Sequence, residues 1–326
     1  MPVYNAARFL EQCLSPLLGM MARSEIAELI VVDDNSTDNS VEVATVLGAR
    51  VLRTKGRLGP GAARNLGASH AAGDILWFVD ADVIVHADAA LKIIEDFSDL
   101  TVAAVFGSYD DRPPARNFLS QYKNLVHRYY HQRGKREAST FWAGCGAVRR
   151  AQFLEAEGFD TRRYNRPSIE DIELGYRLRE SGKRILLNPT VQGTHLKQWT
   201  FFTLIHTEVA CRAIPWARLM MEKSGLTNDL NVSVGERWRA VLAGLFVLFC
   251  IAAFTRLVVW WVPVVGFFVV VAGNWQLARF FYQHKGMWFA FEALLFHQLY
   301  YLYSTAAYLW TWLDYQVLRS IRTLHF

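Results

Sequence analysis

The sequence predicts an α/β domain with a mostly parallel sheet, followed by a C-terminal segment embedded in membrane. Three observations predict it. Apolar strand-like runs alternate with helix-like stretches between residues 28 and 108, the pattern of strands joined by crossover helices. Acidic residues fall at the ends of those runs, and ligands of open α/β sheets bind outside the carboxyl ends of the strands. Beyond Arg239 the mixed composition gives way to long apolar segments. A chain of 326 residues accommodates one large globular unit with such an appendage. The expected divisions are a soluble domain over 1–221, an interfacial linker over 222–238, and a membrane domain over 239–326.

Each element follows from local pattern. "ELIVVDD" is an apolar run closed by turn formers and reads as a strand, and "NSVEVATVL" has cap residues ahead of a helical period. "ARVLRT" is a second strand and "GAARNLGASHA" a helix entered through a glycine turn. "DILWFVDAD" is a third strand, "ADAALKIIEDF" a helix, and "TVAAVFGS" a fourth strand.

Farther on, "AVLAGLFVLFCIAAF", "LVVWWVPVVGFFVVVAGNW" and "MWFAFEALLFHQLYYLYSTAAYLWTW" approach the roughly 20 helical residues that cross a hydrocarbon core. Aromatic residues cluster at their ends as interfacial anchors do. Arg256 separates the first two segments, while Glu292 and His297 interrupt the third at a cost in lipid. Two to three crossings fit. Arg237 and Arg239 flank the first segment and Arg279, His284 and Lys285 follow the second, so the positive-inside rule puts these and the soluble domain in the cytoplasm. Three crossings would put Arg319 and Arg322 outside against that rule, so one segment would then be re-entrant or interfacial.

The net charge of +5 is modest and its placement says more than its size, and no nucleic-acid partner is expected. "MPVYNAARFLEQCL" lacks a basic start followed by an apolar core, so no signal peptide is expected. Cys13, Cys145, Cys211 and Cys250 have no zinc-like spacing, and reduced thiols are the expectation.

The chemistry-bearing stretches are acidic or glycine-rich. In "FVDADVIV" Asp80 and Asp82 stand two apart, which on an extended chain directs both carboxylates to one face of a strand end. Something must neutralise them there. "VVDDNSTDNS" supplies Asp33 and Asp34, although a strand, turn and cap would have the same composition. "RLGPGAARNLG" lacks the Gly-Lys-Ser/Thr of a P-loop and the third Rossmann glycine, yet a glycine turn entering a helix with Arg64 still suits an anion.

Taken in order, the motifs resemble those of the family 2 inverting glycosyltransferases, which have the glycosyltransferase A fold. "MPVYN" resembles the family's opening, "VVDDNSTD" its nucleotide-binding strand end, "GPGAARNLG" its Gly-Arg-Asn helix and "DADV" its metal-binding Asp-x-Asp. "WAGCGAVRR" resembles the acceptor-side segment and "IEDIELGYRL" the catalytic Glu-Asp motif. The resemblance covers roughly Met1 to Met221. One departure is the opening strand, which is nearly absent here.

That resemblance implies a donor in which a sugar is linked to a nucleoside diphosphate, with Pro2, Tyr4, Asn5, Asp33, Asp34, Arg64, Asn65 and Asp80 on the donor side. Asp33 or Asp34 would recognise the base or ribose, and Arg64 would lie near the diphosphate or hold the Asp loop. Asp82, with Asp80 beside it, would hold Mg²⁺ or Mn²⁺, hard ions suited to carboxylate and phosphate oxygens. Trp142 and Gly144 would face the acceptor. Asp171 would be the general base, Glu170 would position the acceptor, and transfer would invert the anomeric carbon.

"HTEVACRAIPWARLM" adds Arg212 and Trp216 as acceptor-side candidates, in place of the Gln-x-x-Arg-Trp of processive members. An interfacial helix is the other meaning of that stretch. His195 is either a structural histidine or a neighbour of the metal. The expected function is transfer of a sugar to a lipid or lipid-linked acceptor at the cytoplasmic face of a membrane. The alternatives are a polyprenyl-phosphate glycosyltransferase, a processive polysaccharide synthase, and a non-catalytic scaffold that binds sugar nucleotides.

Overall fold

The computed structural model describes residues 1–223 and 228–324, with side chains through residue 317. Residues 224–227 of the expected linker, and the side chains of Arg319 and Arg322, lie outside the described residues. Two compact units make up the chain, Met1–Trp199 and Thr200–Phe326.

The first unit opens with β1 (Pro2–Val3), α1 (Ala7–Ala22), β2 (Ile30–Asp33), α2 (Ser40–Val46), β3 (Arg50–Arg53) and α3 (Pro60–His70). The three strands form a parallel sheet in the order β1-β2-β3. The short opening strand still pairs, Pro2 with Val32 and Val3 with Asp33. Leu10 and Leu14 of α1 pack with Val3, Val31 and Ala44 beneath this sheet.

Next come β4 (Ile75–Val79), β5 (Val83–Val85), α4 (Ala89–Asp96), β6 (Val102–Tyr109), α5 (Phe118–Arg133), β7 (Cys145–Arg149), α6 (Arg150–Glu155), α7 (Glu170–Glu180) and β8 (Arg184–His195). They build a five-stranded sheet, β4-β7-β6-β8-β5, in which only β6 and β8 run parallel. The second sheet is therefore mixed rather than mostly parallel. β7 returns antiparallel between β4 and β6, and a turn rather than a crossover helix joins β4 to β5.

That turn also changes the expectation for Asp80 and Asp82. The strand stops at Val79, and Val83 N donates to Asp80 O at 3.1 Å. Strand alternation no longer governs the two carboxylates. Val79, Val83 and Val85 all enter the same core with Ile93, Val105 and Ala147. The apolar run is thus buried on both sides of an acidic turn.

Gly59 fixes the entry to α3. Its φ of 90° and ψ of 164° suit only glycine, and an added Cβ would stand 2.8 Å from the Asn165 carbonyl oxygen. Pro60 then occupies the first helical turn, where its missing N–H costs nothing. Gly59→Ala is expected to destabilise the protein by about 2 kcal/mol. Thermal unfolding checks this, and an unchanged midpoint would contradict it.

The second unit comprises α8 (Phe201–His206), a π-helical turn (Thr207–Ala213), α9 (Ile214–Glu222), a 3-10 turn (Leu230–Val232), α10 (Val234–Phe254), α11 (Trp261–Gly273) and α12 (Trp275–Leu324). Gly286, at φ 83°, kinks α12. Among the described residues one helix, Val234–Phe254, is long and apolar enough to cross a membrane by itself.

Candidate active site

Arg64 organises the acidic residues of the first unit. α3 carries it into the interior at 6% exposure, where Nη2 donates to Asp80 Oδ1 at 2.6 Å and Nη1 to Glu170 Oε1 at 3.0 Å. The planar fork of a guanidinium reaches both carboxylates at once, which an ammonium cannot do as well. Burial favours a neutral Arg64, but Asp80, Glu170 and Asp171 outweigh it and hold the guanidinium charged, with its pKa above the usual value. The Phe159 ring lies 5.5 Å from the guanidinium carbon.

Asp82 faces elsewhere. Its Oδ2 stands 3.5 Å from His195 Nε2, at the end of β8, and Leu196 N donates to its backbone oxygen. The imidazole is held flat against Tyr109, with ring centroids 4.3 Å apart and planes 7° apart. Burial pushes the Asp82 pKa up, but His195 and then Lys197 pull harder, leaving it below the ordinary value. Ionised Asp82 is the stable form.

Asp171 lies in the first turn of α7, where the helix dipole favours a negative charge. Its Oδ2 accepts Ala143 N–H at 3.0 Å, tying it to the segment that carries Trp142 and Gly144. Burial first, then the neighbouring Glu170 charge, raises its pKa from 3.8 to about 6 against the opposing pull of Ala143 N–H and Arg64. Glu170 itself is buried and also accepts Ser168 N–H through Oε2 at 2.9 Å.

The Trp142–Gly144 segment is shaped by a close approach. A Cβ on Gly144 would stand 2.5 Å from the Trp142 ring, so the indole can lie there only over glycine. Gly144 O accepts Asp80 N–H at 3.1 Å, which joins this segment to the acidic turn. Trp142 packs against Tyr109, His127 and His131. Burial drives the His131 pKa down to about 4 despite its bond to Gly107 O, so it is neutral at physiological pH.

The remaining donor-side candidates form the frame of a neighbouring edge. Asp34 accepts Leu58 N–H and Gly59 N–H, both at 2.8 Å, and Thr54 Oγ1 at 3.0 Å. Asp33 accepts Ser36 N–H and Arg53 Nε. Asn5 holds Thr37 and Asp38 N–H groups through Oδ1, from a left-handed backbone at φ 50°. Tyr4 is exposed, with the Arg57 guanidinium 4.0 Å over its ring, while Pro2 is buried in β1. Asn65 commits both ends of its amide to the Phe159 backbone.

Arg212 and Trp216 belong to the second unit. Arg212 pairs with Glu208 at 2.9 Å, one helical turn earlier, and Trp216 is buried. Sequence reasoning missed Tyr109 and the Ala143 backbone N–H. Tyr109 had a faint signal as the polar-edged aromatic ending a strand, whereas nothing local marks a backbone donor.

The acidic turn supplies carboxylate oxygens, the donor chemistry that hard divalent cations take. Among the described residues no three His, Cys, Asp or Glu side chains converge as a closed metal site. Asp82 with His195 at 3.5 Å, and Asp80 in the same turn, instead offer a partial set of oxygen and imidazole donors. Such an open set suits Mg²⁺ or Mn²⁺, which complete their coordination with water and phosphate oxygens.

Comparison with known proteins bears on this arrangement. Residues 1–158 match the family model described as Glycosyl transferase family 2. Glycosyltransferase GlyG of Streptococcus pneumoniae is 31% identical over 113 residues, covering 33% of this chain and 37% of that protein. The 4,4'-diaponeurosporenoate glycosyltransferase of Staphylococcus haemolyticus is 38% identical over 95 residues, 27% of this chain and 25% of that protein. The chain thus spans less than half the length of these relatives. A solved mannosyltransferase from Pyrobaculum calidifontis, in complex with GDP-Man and Mn²⁺, superposes with a TM-score of 0.58 at 19% identity, covering 95% of this chain and 85% of that one. The shared fold is the glycosyltransferase A, nucleotide-sugar transferase fold. Glu170 and Asp171 lie beyond the matched residues.

Proposed function

We propose that this chain, which carries a glycosyltransferase A fold, is a membrane-anchored inverting glycosyltransferase that moves a sugar from a nucleoside-diphosphate donor to a lipid or lipid-linked acceptor. One observation carries it. Arg64 joins Asp80 to Glu170, residues 90 positions apart in sequence, and so draws the acidic turn and the start of α7 into one constellation. A solvated turn and an ordinary helix cap would have no reason to share a buried guanidinium.

In this reading Pro2, Tyr4, Asn5, Asp33 and Asp34 frame the nucleoside edge. Asn65 holds the loop around Phe159 in place, and Arg64 keeps Asp80 and Glu170 oriented. Asp82, Asp80 and His195 would hold Mg²⁺ or Mn²⁺, which when bound supplies positive charge for the leaving diphosphate. Asp171 accepts the acceptor's proton, Glu170 orients the acceptor, and Trp142 over Gly144 forms an apolar wall beside them. Arg212 and Trp216 are assigned to the acceptor side. The apolar second unit supports membrane anchoring, with the first unit on the cytoplasmic side. Among the relatives, one is named a 4,4'-diaponeurosporenoate glycosyltransferase.

The test is nucleoside diphosphate release by purified protein in lipid, across UDP-, GDP- and dTDP-sugars with Mn²⁺ or Mg²⁺, with and without membrane lipid extract. Lipid-stimulated release with one donor, abolished by EDTA, is the expected result. Donor binding without release under every condition would overturn it in favour of a non-catalytic scaffold.

A further inference from the structure

We propose that α10 and α11 form a helical hairpin that crosses the bilayer twice, with its tip, Thr255–Trp261, on the face opposite its base. This rests on the membrane-anchoring part of the function proposed above and gives it a defined geometry.

The two arms run antiparallel and pack on each other. Arg239 Nε, early in α10, donates to Gly273 O at the end of α11 at 2.8 Å. Midway, Phe246 lies against Phe267, and a Cβ on Gly266 would meet its ring at 3.4 Å. A Cβ on Gly273 would likewise meet Leu242 at 3.3 Å, so glycines let the backbones approach, as at helix contacts within lipid.

Almost everything else on the arms is apolar and uncovered. Leu248, Ile251, Phe254, Val265 and Phe268 are exposed, and Ala243 is the one apolar side chain of α10 that is fully buried among the described residues. α12 packs on one side, through Tyr301, and a bilayer is the occupant that covers such an apolar surface on the others.

The ends differ from the middle. At the base, Glu236 pairs with Arg239 and accepts Tyr301 OH at 2.7 Å, and Tyr301 also meets Asn274 Oδ1 at 3.0 Å. At the tip, Arg256 turns the chain with φ 62°, followed by Trp260 and Trp261, which are 76% and 54% exposed. Tryptophan and arginine in this arrangement mark an interface. From Arg239 to Phe254 α10 rises about 22 Å and the 13 residues of α11 rise about 20 Å, and the non-helical residues of the tip extend both arms toward the thickness of a hydrocarbon core. A hairpin turning back at mid-depth would bury Arg256 in lipid.

The base carries the charge that fixes direction. Arg237, Arg239, Arg279 and Lys285 lie near it in sequence and Arg256 alone lies at the tip, so the base is cytoplasmic. α12 leaves α11 at a bend of 71°, so the two do not form one straight span. Two crossings return the chain to the side where Arg319 and Arg322 satisfy the same rule.

Cysteine labelling with a charged, membrane-impermeant maleimide tests this in the full chain. Cys250 is exposed on α10, Cys211 is half-buried, and Cys13 and Cys145 are buried. In a variant with Cys211→Ser and Cys250→Ala, Thr255→Cys should label in right-side-out spheroplasts to the level reached in SDS. Val234→Cys should label only in inverted vesicles. With Cys250 restored, that thiol should stay unlabelled in both until SDS is added. Labelling of the two reporters from one side, or of Thr255→Cys from neither, overturns the double crossing while leaving membrane anchoring intact. Labelling of Cys250 in intact membranes, or recovery of the protein as a soluble assembly after an alkaline wash, overturns the anchoring as well. Donor turnover, measured separately, reports on the transferase.

Discussion

Asp171→Asn is expected to lower turnover by about 10³-fold or more while leaving donor binding unchanged, because general-base catalysis contributes on that scale. Asn keeps one oxygen able to accept Ala143 N–H, the bond that Asp171 Oδ2 makes at 3.0 Å, and gives up the bond that Oδ1 accepts from Ile172 N–H at 2.8 Å. A proton acceptor is what disappears. The pH dependence follows from the pKa of about 6, raised first by burial and then by the Glu170 charge. Only ionised Asp171 can take a proton, so kcat/KM should rise with pH through about 6 and then level. Asp171→Asn should remove that limb. The effect on stability has the opposite sign. An acid whose folded pKa exceeds its unfolded value binds more protons when folded, so stability falls as pH rises from about 4 to about 6. Above that window Asp171→Asn removes the burial cost of the charge, so it should be more stable relative to wild type at pH 7 than at pH 4. Product assays, donor calorimetry and thermal unfolding read the three effects. Undiminished turnover would remove Asp171 from the base role.

The first sheet was legible because local pattern suffices for it. "ELIVVDD", "NSVEVATVL" and "ARVLRT" enclose β2, α2 and β3, with one or two residues to spare at each end. Each is bounded by a turn former, Asp34, Asn39 and Gly48 respectively. β7 could not be read in the same way, since Cys145–Arg149 is short and nothing in it says that it will return antiparallel between β4 and β6. Asp80 and Asp82 stood out as charges in an apolar run, but their separation onto Arg64 and His195 depends on residues from α3 and the end of β8. Asp33 and Asp34 show the same limit from the other side. Their sequence suggests a ligand edge, while Asp34 is engaged by N–H groups 24 and 25 residues later. Long-range pairing decides which carboxylate holds the frame, and periodicity does not carry it.

Arg64→Ala should destabilise the protein by about 3–5 kcal/mol, because removing one partner of a buried ion pair leaves the other charge uncompensated. Here two carboxylates lose their partner, Glu170 at 6% side-chain exposure and Asp80 at 33%. The buried one dominates the cost. Arg64→Lys restores the charge without the two-pronged fork, so its stability should fall between the wild type and Arg64→Ala. Neutralising Glu170 in the Arg64→Ala background, as Arg64→Ala with Glu170→Gln, should recover part of the loss, since the removed charge is the one left stranded. Thermal unfolding in detergent measures all four proteins. If Glu170→Gln gives no recovery, the loss at Arg64→Ala is a packing defect beneath Phe159 rather than a stranded carboxylate. If it does recover stability yet leaves turnover absent, the guanidinium serves the chemistry as well as the fold, by holding Asp80 and the start of α7 in the arrangement that transfer requires.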